Sequence, residues 1–368
     1  MQEQRYDFVI LTVGKYSGLP NIPVFPPGKG PESFKRNVIH SMDCAKMETG
    51  FMKAKNPVVV GLGKTAIDIA MACSAANGIE NPCTVLYRTV HWAIPGDLPV
   101  PLGYLLLNRF SHLIVHKPEE GFLLKVLATI LSPLRWAISK YVERAIIKAV
   151  NLRKYDMVPK HGFFQEANSC SAASLPQGFY DRVDEGSIKL VKSQNFNFCE
   201  DGIFIEGKGE SIKTELVILC TGFRGADKVR DMFMSPFFKK CITASDNDSL
   251  CQLYREMIHP RIPQLAVVGM AESVSNLQTA EMMSRWLAEL LDGNIKIPSI
   301  KDMEKNIAEW DKHLKPSPSY GKRFCVGTYN IWFNDKLCQD MGWNPKRKKS
   351  ALAELFEPYG PLDYAQPQ

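Results

Sequence analysis

The run Val58-Val-Val-Gly-Leu-Gly-Lys-Thr-Ala-Ile-Asp-Ile-Ala70 constrains the chain most: a β-branched strand, then Gly61-x-Gly63-x-x-Ala66, then residues of helical character through Cys73. Gly61 suits the tight turn, Gly63 lets backbone approach a pyrophosphate, and small Ala66 lets helix pack on strand, while unpaired N–H groups at the helix start attract phosphate. The bare pattern also serves plain packing, so context decides. Asn56-Pro57 closes the preceding element, and strand, turn and helix follow in the order a dinucleotide site requires. The next strand, from Cys83, ends at Arg88, where an NAD site carries a ribose-binding Asp or Glu. A guanidinium suits the 2′-phosphate of NADP through charge-assisted hydrogen bonds, so NADPH is the expected cofactor; the plain alternative is a surface arginine.

At 368 residues the chain is long enough for two domains with proper cores. Its formal charge of +6 is modest, and the densest cationic run, Lys346-Arg-Lys-Lys349, is expected to be a solvated face; no nucleic-acid module is found. Ten cysteines lie without a C-x-x-C pair or metal-ligand spacing to histidine. They are expected to be buried or free thiols in a reducing compartment, with no metal site. The absence of such a pair also argues against a disulfide reductase. The first residues lack the basic and apolar regions of a secretion signal, so the expected setting is cytoplasmic.

Apolar stretches near Leu102–Val115 and Phe122–Ile138 are interrupted by Arg109, His112, Lys125 and Arg135, well short of a membrane span. From Leu123 to Ile146 the apolar spacing is helical, broken or kinked near Pro133. Such helices cover a core, line a substrate entrance or lie on a membrane surface, and core packing is the expectation. Tyr6–Gly14 and Glu215–Phe223 are apolar strands running into Thr-x-Gly and Cys-Thr-Gly turns, and they bracket the dinucleotide motif. That suggests one domain inserted between two pieces of another. A hairpin is expected around Glu200-Asp-Gly202, a buried strand at Leu265–Gly269, a helix over Thr279–Leu291 and a surface-lying terminal part rich in Pro, Tyr and Lys.

With these residues in place the chain resembles the plant flavin-containing monooxygenases, within the class B flavoprotein monooxygenases. Phe34-x-x-x-x-x-His40-Ser41 stands where that family has Phe-x-Gly-x-x-x-His-x-x-x-Tyr/Phe; Gly61-x-Gly63-x-x-Ala66 and Arg88-Thr-x-His-Trp-x-Ile-Pro95 follow. Leu219-Cys-Thr-Gly-Phe223 is similar to its Ala-Thr-Gly-Tyr segment, and Ser275-Asn-Leu-x-Thr-x-Glu281 to the start of its flavin-side helix. Two departures lie inside the signature: Arg36 replaces the glycine, where its bulk is expected to strain or reposition the crossing, and Cys44 replaces the aromatic.

The resemblance implies an α/β fold in which a Rossmann-like NADP-binding domain is inserted in an FAD-binding Rossmann-like domain, here N-terminally incomplete because no FAD-binding Gly-x-Gly-x-x-Gly unit precedes Tyr6. Expected boundaries are 1–44 for the crossing strand and FAD-domain remnant, 45–213 for the NADP-binding domain with a helical insertion at about 102–150, and 214–368 for the rest of the FAD domain and tail. FAD and NADPH are the implied cofactors. The implied reaction is oxygenation of a soft nitrogen or sulfur nucleophile by O2 through a C4a-hydroperoxyflavin, amine and amino-acid N-hydroxylation included. The alternative is a catalytically inactive NADP-binding remnant or interaction protein.

By the same resemblance Gly61, Gly63, Lys64, Thr65 and Ala66 hold the NADP pyrophosphate and Arg88 the 2′-phosphate. Thr221, Gly222, Asn276, Leu277, Gln278 and Thr279 approach FAD, with Asn276 the one candidate catalytic residue because the flavin carries the chemistry. Phe34, His40 and Ser41 form the signature segment; a structural histidine and a helix cap are the plain alternatives for His40 and Asn276. No transmembrane span is expected. Peripheral contact at the endoplasmic reticulum is the membrane role left open.

Overall fold

The computed structural model describes residues 4–47, 50–207, 209–243, 253–314 and 325–366; residues 1–3, part of the segment read for a leader, lie outside it. In chain order the strands are β1 (Val9–Leu11), β2 (Asn37–His40), β3 (Val58–Val60), β4 (Cys83–Tyr87), β5 (Ala93–Pro95), β6 (Ala173–Leu175), β7 (Ile188–Lys192), β8 (Phe196–Cys199), β9 (Gly202–Ile205), β10 (Glu210–Lys213), β11 (Leu216–Leu219), β12 (Ile258–His259) and β13 (Ile262–Val267). The central sheet is parallel throughout, in the order β2-β11-β3-β4-β7. It therefore draws strands from both sides of the 45–213 segment.

The apolar runs of β3, β4 and β11 are buried on both faces, as interior parallel strands must be. Val59, Val85 and Ile218 turn toward helix α1 (Lys64–Asn77), where Ala66, Ile67, Ala70 and Cys73 complete one core. Val58, Val60, Leu86, Val217 and Leu219 turn the other way, onto Phe34, Phe198, Ile203 and Ile205. The antiparallel sheet β10-β9-β8 supplies that second layer and contains the expected hairpin.

A second sheet, β1-β13-β12, pairs β1 with β13 in parallel. The 102–150 segment includes helices α2 (Phe122–Ile130) and α3 (Ser132–Ala149), bent by 49° at the break, with Pro133 in the first turn of α3. Helix α4 (Phe163–Asn168) follows, then α5 (Asn276–Leu291) and α6 (Asn330–Asp340). Met282, Met283, Trp286 and Leu287 of α5 share a core with Ile331, Phe333 and Leu337 of α6 and with Tyr359 and Tyr364. The terminal part is thus not only a surface layer: Tyr359 and Tyr364 are buried while polar groups pair around them. Lys348 bonds Asp363 at 2.5 Å and the Arg347 guanidinium lies 5.8 Å from the Tyr364 ring, so these two of the cationic run are tied down, while Lys346 and Lys349 are exposed as expected.

Core packing does not hold for α2 either. Ala128 is its one buried residue, and Phe122, Leu123 and Ile130 are exposed. Among the described residues no single helix is long and apolar enough to cross a membrane.

Candidate dinucleotide site

The loop from β3 to α1 leaves the carboxyl edge of the parallel sheet, where β11 and β4 flank β3 and the connections diverge to either side. Open α/β sheets bind ligands in such a crevice. The Gly61 N–H donates to the Leu86 carbonyl at 2.8 Å, so Arg88 and the glycine loop share that edge. Gly61 has φ +128°, and a Cβ there would lie 2.6 Å from the Cys220 carbonyl oxygen at the end of β11. Gly63 has an ordinary backbone (φ −79°, ψ 177°), and no atom lies within 4 Å of where its Cβ would stand. The two glycines therefore differ in kind: Gly61 answers to its own fold, whereas Gly63 faces open space.

Lys64 and Thr65 are exposed and Ala66 is fully buried. The first backbone N–H of α1 with a helical acceptor is that of Ile67, bonded to the Gly63 carbonyl at 3.1 Å; those of Lys64, Thr65 and Ala66 are left for a ligand or solvent. With the helix dipole they form an anion-attracting end. Lys64 itself pairs with Asp68 one turn along. Arg88 is exposed, without a carboxylate partner among the described residues, and its carbonyl accepts from Gln194 Nε2 at 3.3 Å.

The segment after Arg88 is anchored by a group the sequence did not single out. Glu166 of α4 is fully buried, and Oε1 lies 2.8 Å from His91 Nδ1 while Oε2 accepts from the Trp92 N–H at 3.1 Å. His161 Nε2 also bonds Oε2, and Trp92 Nε1 donates to the His161 carbonyl at 2.9 Å. Burial raises the Glu166 carboxyl's pKa, but His91, His161 and the Trp92 N–H outweigh it and hold the group below its usual range. Ligand atoms of His91, His161 and Glu166 lie within 4.8 Å of one another, a grouping that could hold a metal ion. Both carboxylate oxygens are already engaged by protein donors, so the fold accounts for the cluster without one. His161 and Glu166 are five positions apart, but His91 stands 70 residues before His161, so the sequence showed no grouping of all three.

The signature segment packs rather than opens. Phe34 is buried against Phe198, with ring centroids 5.9 Å apart. His40 is buried, its Nδ1 accepts from the Met42 N–H at 3.2 Å, its ring meets Phe223 edge-on at 5.2 Å, and burial lowers its pKa. Ser41 faces the Cys220 thiol, which burial pushes up to about 12. Arg36 is exposed with no positive φ, so the expected strain at that position is absent; only a glycine-specific backbone would have caused it. Cys44 packs with Cys73 and Cys220 in the α1 core. Cys170 is disulfide-bonded to Cys325, so the expectation of thiols alone fails for this pair.

At the start of α5, a crevice of about 290 Å³ is lined by Gly14–Ser17, Gly269–Glu272 and Asn276. Lys15 and Glu272 pair across it at 2.5 Å. Asn276 Oδ1 accepts from the Ser273 N–H at 2.8 Å, which ties down the loop before α5 rather than capping the helix, and Thr279 Oγ1 bonds Ser273 Oγ at 2.6 Å. Leu277 is exposed; Gln278 is buried, with Nε2 lacking a partner among the described residues. Thr221 and Gly222 are bonded to Asn21: Asn21 N–H donates to the Gly222 carbonyl at 2.9 Å, and Thr221 Oγ1 to the Asn21 carbonyl.

Comparison with known proteins shows the family. A family model described as flavin-binding monooxygenase-like matches residues 1–354. A probable flavin-containing monooxygenase 1 of Arabidopsis thaliana is 36% identical over 372 residues, which cover 99% of this chain and 69% of that protein. Among solved structures, an oxidised steroid monooxygenase bound to NADP aligns with a TM-score of 0.58 at 14% identity, covering 90% of this chain and 73% of that one. A protein designated OTEMO, in complex with FAD and NADP, aligns at a TM-score of 0.52 and 15% identity, covering 90% of this chain and 73% of that one. At such identity the two structures establish likeness of fold alone.

Proposed function

The chain belongs to the flavin-binding monooxygenase-like family of oxidoreductases, and we propose that it acts as an NADPH- and FAD-dependent monooxygenase on a soft nitrogen or sulfur nucleophile, amine or amino-acid nitrogen included. The observation that carries this is the pairing, at one sheet edge, of an open helix N-terminus beside Gly63 with an exposed Arg88 that no described carboxylate engages.

The residues present fit NADP, and a second crevice fits part of FAD. The N–H groups of Lys64, Thr65 and Ala66 suit a pyrophosphate, and Gly63 leaves room for it. Arg88 suits a 2′-phosphate. The crevice beside Gly14 and Asn276 nearly reaches the about 300–1,000 Å³ typical of ligand pockets, enough for part of a dinucleotide, and the orphaned Gln278 Nε2 offers a buried donor near it.

When bound, FAD and NADPH supply hydride transfer and oxygen activation. The protein's share is to hold, orient and exclude water. Glu166 fixes the 88–95 segment through His91 and Trp92, and so steadies Arg88. The N-terminus of α5 presents its positive end to the crevice, where it favours negative charge. Leu277, exposed at that end, is an apolar shield once a ring system covers it.

The test compares cofactor binding and turnover. Arg88→Ala is expected to weaken NADPH about 10- to 100-fold, the loss of a charged hydrogen bond worth about 1.5–3 kcal/mol, while NADH binding stays unchanged. An equal loss for both cofactors overturns the 2′-phosphate role. After reconstitution with FAD, NADPH-dependent bleaching of the flavin and oxygen consumption with an amine or thioether are expected. NADP binding without either would replace the enzyme with a binding protein.

A further inference from the structure

The Cys170–Cys325 bond joins the supports of both crevices. Cys170 lies in the turn after α4, where the Ser169 and Ser171 N–H groups donate to the Glu166 carbonyl at 3.1 and 3.3 Å and Ser169 Oγ at 2.9 Å. Three residues on, the Ala173 N–H donates to the Trp92 carbonyl at 3.2 Å, and β6 runs parallel to β5. This turn thus carries the group that anchors the segment after Arg88. At the other end of the bond Cys325 pairs with Glu272 in a parallel bridge, and the Val326 N–H donates to the Glu272 carbonyl at 2.7 Å. Glu272 lines the crevice at the start of α5 and holds Lys15 across it.

The two sulfurs are unlike. Cys325 is 1% exposed, whereas Cys170 is partly open to solvent, so an attacking thiolate meets Cys170 Sγ and expels Cys325. The leaving sulfur already accepts from the Gly327 N–H at 3.3 Å, and the Ala167 carbonyl, 3.5 Å away, accepts its S–H once it is protonated. Opening the bond drives the sulfurs apart to about 3.5 Å or more. Gly327 packs so closely that a Cβ there would stand 3.2 Å from each sulfur, and Cys325 is held to Glu272. The displacement therefore falls on Cys170 and on the turn that holds Glu166. We propose, on the NADPH-binding role assigned to Arg88, that this bond is a redox switch on cofactor affinity: intact, it holds the NADPH site in its tight form, and a dithiol that opens it weakens NADPH. One thiolate of the dithiol forms a mixed disulfide with Cys170 and releases Cys325; the second displaces Cys170, leaving two protein thiols and an oxidised dithiol. Hydrogen peroxide reverses this. Cys170 takes one oxygen atom as a sulfenic acid, and Cys325 displaces it to restore the bond, the two thiol protons leaving in two waters.

The full chain is equilibrated in mixtures of reduced and oxidised dithiothreitol, the intact bond is counted by peptide mapping after alkylation, and NADPH binding is measured at each ratio. Full reduction is expected to weaken NADPH about 5- to 50-fold, in step with loss of the bond. Without any ligand, amide hydrogen exchange should quicken over residues 88–95 and 163–175 and stay unchanged in β3 and β4. Cys170→Ser should bind NADPH as the reduced chain does and ignore the dithiothreitol ratio, which separates this bond from the other thiols. Peroxide should restore tight binding to the reduced wild type and not to that variant. Complete reduction with NADPH affinity unchanged, while Arg88→Ala still weakens it, overturns the switch alone. No NADPH binding by the oxidised chain refutes the role of Arg88 and the switch together. A bond that dithiothreitol does not open in the folded chain, or an equal response by Cys170→Ser, also overturns the switch; the wild-type titration decides even where the variant does not fold.

Discussion

A methyl group on Gly61 would stand 2.6 Å from the Cys220 carbonyl oxygen at a φ of +128°. Backbone on both sides of that contact is in the central sheet, so neither can yield cheaply. Gly61→Ala is expected to cost about 2–4 kcal/mol from overpacking and backbone strain together, whereas Gly63→Ala should change stability by under about 1 kcal/mol and weaken NADP instead. Urea unfolding with and without NADP separates the two; equal stability losses would refute the assignment. The glycines themselves were legible in sequence, but the reason for Gly61 was not, because its neighbour lies on a strand that returns some 160 residues later. His112 gives a pH-dependent counterpart. Burial first, then Lys117 and Arg109, lower its pKa from 6.5 to about 3, so the folded state keeps it neutral. Below pH 6.5 the unfolded chain binds the extra proton, and this contribution to stability is lost as pH falls toward 3. Between pH 5.5 and 4 the wild type should lose about 1.4 kcal/mol per pH unit more than His112→Gln.

At the scale of elements, the Cys170–Cys325 bond links the end of α4 to the segment leading into α6 across 155 residues of sequence. Removing such a link typically costs about 2–5 kcal/mol. Cys170→Ser and Cys325→Ser should each lower stability by that order, and reductant should lower the wild type toward them but leave the variants unmoved. A peptide map without reductant that shows both as free thiols would remove the basis for it. Such a pair is not visible in sequence, since it depends on the fold bringing distant chain together. The same limit applies to orientation. Helical periodicity over Leu123–Ile146 announced an apolar stripe, but a period does not say which way the stripe faces, and on α2 it faces out. The strand-turn-helix order and the ends of β1 and β11 were legible because each rests on local residues; the anchoring of His91 and Trp92 by Glu166 was not, because its parts are scattered.

Across the whole molecule, Arg109 ties the 102–150 segment to the C-terminal part. Its guanidinium bonds both Asp335 oxygens and Glu354, donates to the Pro345 carbonyl at 2.7 Å, and lies 4.7 Å from the Tyr359 ring centre. In sequence it only interrupted an apolar stretch; in the fold it is the cation on which three elements converge. Asp335 and Glu354 are 14% and 12% exposed, so removing their partner strands two carboxylates where water reaches them poorly. Arg109→Met is therefore expected to cost about 3–5 kcal/mol, more than its methylene packing can recover. Arg109→Lys should rescue little, because a single ammonium cannot supply the fork that meets Asp335 with two N–H groups while a third reaches Glu354. Adding Asp335→Asn to Arg109→Met should restore part of the loss, since it removes one stranded charge; additive penalties in that cycle would instead mean that the 102–150 segment and C-terminal part are held by packing alone.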